Sequence, residues 1–359
     1  MSKSGICRWK QSAFGCPAES EWSLGLKINR ALRVYLVAIG LVGCAAAAAD
    51  SVGPPRAGMI FDRSGLRPIL GLPGAEVFGD GVEPGFRPAV VRFAYGKNYA
   101  LAIDSAKGQL TLLRNLVSGT SSSVVLGATS AADVVLNASG TSAVLISAAE
   151  STFQVVTGLP DKPVFEEPIS FKNVGRPITA VALDTNGQNI LAGFSDGSKG
   201  EVDWFNAAGA RTVVLPASEP SAIVFANSDR DAAVADRASN QVFVIRQVTT
   251  SRQLISVAAA PDAVEPVALS VWNGTHLMVA SAGSKNLLDV DLTQMAISAR
   301  YELPVAPSKL EPLIDPNVLL FNEGGTGPTY LFALSGSTRI YFIPPPANGR
   351  ARLHSTTTR

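Results

Sequence analysis

From Pro88 to Ile343 the chain repeats one arrangement of apolar and polar positions. An alternating apolar run leads to a turn with Gly or Asn, then to a second apolar run ending in a small polar residue. A further turn and a third apolar run follow. The second and third runs align as YALAIDSAKGQLTLL (99–113), SAVLISAAESTFQVV (142–156), NILAGFSDGSKGEVDWF (189–205), DAAVADRASNQVFVI (231–245), HLMVASAGSKNLLDV (276–290) and NVLLFNEGGTGPTYLFAL (317–334). The polar residue closing the second run is Asp104, Ser147, Ser195, Asp236, Ser281 and Asn322, at separations of 43, 48, 41, 45 and 41 residues. Fourth runs are weaker, with ARTVVLP (210–216) and ARYELP (299–304) the clearest. Short apolar or β-branched runs between Gly, Asn, Asp and Ser turns predict strands, and outside the N-terminal region no amphipathic helix is predicted.

Four short strands per 40–45 residues predict an all-β fold, a β-propeller of four-stranded blades. One blade cannot bury both of its faces, so blades must stack around an axis and cover each other. Ala100, Ala102, Ala192 and Ala235 suit inner strands, where blades crowd together. Phe93, Trp204, Phe225, Phe243 and Trp272 would fill the wedges between blades. Six repeats are complete. The hairpin GMIFDRSGLRPILGLPG (58–74) adds another, with Asp62 lying 42 residues before Asp104. Seven blades are therefore expected, the seventh seeded by this hairpin and completed by the C-terminal strand RIYFIP (339–344), which would leave no open edge. Six blades capped by the hairpin is the alternative.

The turns Asp184-Thr185-Asn186-Gly187, Ser139-Gly140 and Asn273-Gly274 resemble the strand-turn-strand motif of secreted bacterial propellers of the YVTN and TolB-like kind. The resemblance spans residues 58–343 and points to no one subfamily, the group's more typical Ser-Pro-Asp-Gly turn being absent. It implies the architecture, together with a choice among binding proteins, scaffolds and lactonase-like enzymes.

The N-terminus reads as an address. Lys27, Arg30 and Arg33 precede an uncharged run from Val34 to Ala49, whose 16 residues would span about 24 Å as a helix, short of a bilayer core. A signal peptide over 27–49, behind a polar leader over 1–26, is the expectation. Cleavage at Ala47-Ala48-Ala49 would free a chain from Asp50. Alternatively, Leu41-Val42-Gly43-Cys44 resembles a lipobox, which implies lipidation of Cys44 and a membrane anchor. The domain plan is then a signal region over 1–49, a propeller over 50–343 and a disordered tail over 344–359. Export to the periplasm, the envelope surface or the outside follows.

Composition sharpens this picture. The chain has 359 residues, 16% charged, with a net charge of +1, 3 Cys and 2 His. Without residues 1–49 it keeps 24 basic and 27 acidic residues and no cysteine, so its core alone must hold it together. Its charge excludes the electrostatic footprint of a nucleic-acid binder. Paired C-x-x-C, H-E-x-x-H and EF-hand patterns are absent. His354 lies in the tail, while His276 opens a strand beside a turn and reads as a surface residue with no Ser or Asp constellation nearby. The run Glu323-Gly324-Gly325-Thr326-Gly327 precedes a strand, which makes it a turn and not a phosphate cradle.

One constellation remains. Residues closing the second strands should ring one mouth of the channel, with carboxylates at Asp104 and Asp236 and, one position later, at Asp196 and Glu323. They would bind a polar ligand or a hard cation such as Ca²⁺. Alternatively, Asp, Ser and Asn there simply build the turns they favour, and Arg237 compensates its neighbour Asp236. No catalytic residue and no resident cofactor are assigned. The leading expectation is an exported, non-enzymatic binding or scaffold module whose partner is a protein or a small polar ligand. The alternative is a metal-assisted hydrolase of the lactonase-like class.

Overall fold

The computed structural model describes residues 54–62, 65–116, 122–322, 327–334 and 339–345. The signal region with Cys44, the carboxylate Glu323 and tail residues 346–359 lie outside them. The described residues form seven antiparallel sheets, taken in chain order as blades 1 to 7 of a β-propeller. Apart from strands they contain two three-residue 3-10 turns, Tyr95–Lys97 and Lys172–Val174.

Blades 2, 4, 5, 6 and 7 each have four strands in sequence order. Blade 5 is representative, with strands Pro220–Ala226, Asp231–Asp236, Gln241–Arg246 and Gln253–Ala259. In blade 3 the outer position is shared by two short pieces, Val164–Phe165 and Ile169–Ser170. Blade 1 has three strands, Arg56–Asp62, Gly65–Leu70 and Val77–Phe78.

Burial follows the radial position of each strand. First strands of neighbouring blades lie side by side and form the inner ring. Second strands are buried along almost their whole length, as in Tyr99–Asp104 and Asp231–Asp236. Outer strands such as Ser122–Ala128 and Ala296–Glu302 face solvent. Ala100, Ala102, Ala192 and Ala235 are all fully buried on the second strands where the repeat places them. Their small size lets adjacent blades close over them.

Seven apolar clusters correspond to seven contacts between blades. One joins blades 2 and 3 through Leu101, Leu112, Val134 and Leu145, and the others follow around the ring. The last closes it, setting Ile60 and Ile69 of blade 1 against Leu320, Leu331 and Ile343 of blade 7. Phe93, Trp204, Phe225, Phe243 and Trp272 pack against these clusters, as expected. An aromatic interface not predicted from the repeat lies between blades 3 and 4, where Phe153 meets Phe171 at 4.5 Å and Phe205 at 5.4 Å, with Phe194 beside them.

Seven blades are present, yet the ring does not close as expected. Arg339–Ile343 pairs with Thr329–Ala333 and completes its own blade 7 instead of joining the N-terminal hairpin. Closure between the chain ends is made by side chains and one backbone bond, from the Ile314 N–H to the Ala57 carbonyl at 3.1 Å. Gly58 permits this approach, because a Cβ there would stand 2.9 Å from Leu313 Cδ2. The Tyr95 hydroxyl fastens the other side of blade 1, donating to the Met59 carbonyl at 2.6 Å and accepting its N–H at 3.1 Å. Burial raises the Tyr95 phenol far above its ordinary range, so it stays a donor.

Candidate functional site

Because strands alternate in direction, the ends of the second strands and the linkers entering each blade share one face of the ring. Hydrogen bonds across it confirm this: Ser105 N–H to the Arg87 carbonyl, Ser195 N–H to Pro177, Arg237 N–H to Glu219 and Ala282 N–H to Glu265. We call it the linker face. Asp104, Asp196 and Asp236 all lie on it, in blades 2, 4 and 5.

Each of these carboxylates binds backbone N–H groups of a loop or linker on this face. Asp104, 3% exposed, accepts the Ala106 N–H at 2.8 Å. Asp236, 2% exposed, accepts the N–H groups of Ser218 and Glu219 at 2.7 and 2.8 Å, and so clamps the linker between blades 4 and 5. Asp196 is exposed and accepts the N–H groups of Ser198 and Lys199, both at 2.9 Å, with the Ser198 hydroxyl at 2.8 Å. These bonds, led by the Lys199 N–H, hold its pKa down to about 2. Among the described residues no three His, Cys, Asp or Glu side chains come together as metal ligands.

The other strand-closing residues work alike. The Ser147 hydroxyl accepts the Glu150 N–H, and Ser195 bridges the Gly197 N–H and the Ser218 carbonyl. Asn322 ties the Tyr330 N–H to the Pro328 carbonyl. In blade 6 the task moves to Ser284 and Asn286, which both donate to the Asp262 carbonyl. Buried Ser281 is left with its hydroxyl unpartnered among the described residues. The charge assignment for Arg237 also changes. It pairs with the Glu219 side chain, not with Asp236, whose oxygens are already taken by backbone N–H groups.

A cleft of about 260 Å³ opens on this face between blades 3 and 4, lined by Ala148, Ser151, Phe171, Lys172, Arg176 and Ile178 among others. Phe171 is buried and forms its apolar wall, while Lys172 is exposed. Arg176 is oriented by Glu201 at 3.1 Å and Asp196 at 3.9 Å. Glu201 in turn holds Arg211 at 2.9 Å, and Arg211 reaches Asp203 at 2.6 Å. Asp203 is fully buried, and burial raises its pKa more than the Arg211 guanidinium lowers it. Its second oxygen has no partner among the described residues.

Two further features of this region carry a sequence signal. Pro88, Pro220 and Pro266 open first strands directly opposite Asp104, Asp236 and Ser281, where a missing N–H costs no ladder bond. Lys172 and Arg176 stand four residues apart in a linker that carried no strand pattern. On the opposite face, His276 differs from the lone surface residue expected from the sequence. Its Nδ1 lies 2.7 Å from an Asp289 oxygen, and its ring packs against Trp272 in a tilted contact, with centroids 5.3 Å apart. Asp289 is on the neighbouring strand, two positions from the residue paired with His276, so only the register brings them together.

The geometry is that of a seven-bladed β-propeller with a tied-down linker face that carries a cleft lined by Lys172 and Arg176. Solved structures with the same fold include virginiamycin B lyase from Staphylococcus aureus, 15% identical, covering 72% of this chain and 84% of that one with a TM-score of 0.53. A protein described as a 6-phosphogluconolactonase from Bacteroides fragilis is 12% identical, covering 83% and 97% with a TM-score of 0.57. A functionally unknown protein from Desulfotomaculum acetoxidans is 13% identical, covering 81% and 99%, also with a TM-score of 0.57. At these identities the likeness is one of fold. No protein-family model and no curated protein sequence matches the chain.

Proposed function

We propose that the protein is an exported, non-enzymatic binding or scaffold propeller of the bacterial envelope, presenting its linker face to a protein or a small polar ligand. The observation that carries this reading is the use of Asp104 and Asp236. Their oxygens fix backbone N–H groups of the loops and linkers, which makes the face rigid and leaves recognition to groups standing above it. A metal-assisted hydrolase would need those same carboxylates turned toward a shared ion. Two of the fold relatives carry enzyme names, but at 15% identity or less their chemistry does not transfer.

In the cleft, Lys172 and Arg176 stand beside the apolar wall of Phe171 and the hydroxyl residue Ser151. That combination suits a small anionic ligand, or a carboxylate side chain of a partner, better than a neutral sugar. The test is an affinity capture from the native envelope fraction with wild-type protein and with Lys172→Glu/Arg176→Glu. A partner retained by the wild type and lost from the charge-reversed protein supports the reading. Equal capture by both removes the cleft from it, and turnover of a lactone panel by the wild type overturns it.

A further inference from the structure

Blade 1 ends early. Its third strand is only Val77–Phe78, and among the described residues no strand pairs with its outer side. Beyond it the chain stays loosely against the second strand, through the Gly79 N–H to the Pro68 carbonyl and the Val82 N–H to the Leu66 carbonyl. Every other blade has its outer position filled. An unpaired edge is a template for another extended segment, and this one carries exposed apolar surface: Leu72 is 65% and Val77 53% exposed. On the adjoining outer strand of blade 7, Phe342 is 62% exposed. The two blades meet at this rim, since a Cβ on Gly74 would stand 3.1 Å from the Tyr341 ring.

We propose that residues 346–359 of the same chain add to this edge as the fourth strand of blade 1. Four observations converge on this occupant. The segment leaves blade 7 just after Ile343, on the strand that flanks the open edge. Its 14 residues reach about 46 Å when extended, against roughly 19 Å for the width of a four-stranded blade. Its sequence alternates, with Ala351, Leu353, Ser355 and Thr357 on one side of an extended segment and Arg350, Arg352 and His354 on the other. Arg350 and Arg352 complement Asp80 and Glu83, both exposed on the segment that forms the ragged edge. Composition alone reads this tail as disordered. An open edge of matching chemistry beside its root gives it a place to order, at the high effective concentration of a tethered segment.

Hydrogen exchange on the full chain tests the proposal, together with melting of the full chain and of a chain ending at Pro345. The expected result is at least tenfold slowed exchange at residues 350–358, lost in Leu353→Asp and weakened in Asp80→Lys/Glu83→Lys. Truncation should lower the Tm by about 3 °C or more, and a synthetic 346–359 peptide should restore it. Exchange of the tail at free-peptide rates overturns the proposal. So does a Tm unaffected by truncation, or a dimer that truncation converts to monomer, which would assign the edge to a second copy. None of these outcomes depends on what the linker face binds.

Discussion

Asp236 accepts the backbone N–H of Glu219 at 2.8 Å, while the Glu219 side chain pairs with Arg237. Glu219 is thus held through its backbone by Asp236 and Arg237, at the end of the neighbouring strand, and through its side chain by Arg237. With the Ser218 N–H also bound to Asp236, the linker from blade 4 to blade 5 has little freedom. Asp236→Ala strands two N–H groups at a buried site and should cost about 2–4 kcal/mol in urea unfolding. Asp236→Asn keeps one acceptor oxygen and should cost roughly half of that. Equal and negligible losses would show that the clamp is ornamental.

The four-ring contact between blades 3 and 4 should be the most sensitive part of the core. Phe153 is fully buried between Phe171 and Phe205, so Phe153→Ala removes apolar contacts from both blades. We expect a loss of about 3–5 kcal/mol, read by denaturant unfolding. Phe153→Leu should recover much of it.

Opposite pH behaviour is expected from two carboxylates of one network. Asp196 has its pKa lowered to about 2 in the fold, from an ordinary value of 3.8. Its stabilising contribution is therefore complete above 3.8 and is lost as the pH falls through about 2. Asp203 has its pKa raised by burial, so the fold favours its protonated form. Its effect on stability is best below 3.8 and declines as the pH rises through its folded pKa. Melting curves from pH 2 to 6 should show a shallower acid loss for Asp196→Asn than for the wild type. Asp203→Asn should remove the decline on the rising side.

His276 and Asp289 give a coupled pair. The carboxylate is largely buried, and without the imidazole at 2.7 Å it would keep its desolvation but lose its partner. A double-mutant cycle over His276→Ala and Asp289→Ala should return a coupling of about 1 kcal/mol or more. Additive losses would mean that the pair is held by Trp272 packing alone.

What the sequence disclosed depended on the range of the interaction. Blade count and strand order follow from alternation and turn residues, which act within a few positions, so the repeat from Pro88 to Ile343 was visible. The pairing of Arg339–Ile343 within its own blade was not, because an apolar strand carries no mark of which neighbour it joins. Site chemistry was legible only as residue types. Asp104, Asp196 and Asp236 were found by their recurring position, but whether a carboxylate faces a ligand or a backbone N–H is decided by the loop's local fold. The His276–Asp289 pair and the Arg176–Glu201–Arg211–Asp203 chain depend on register across strands and linkers, which one-dimensional spacing does not carry.

The central claim is that the linker-face carboxylates hold the structure and do not serve a ligand ion. Calorimetric titration of the wild-type protein with Ca²⁺ to millimolar concentration tests it most directly, with Asp104→Asn and Asp236→Asn alongside. No saturable binding by any of the three is expected, with the two variants only less stable. Saturable binding by the wild type that either substitution abolishes would contradict it.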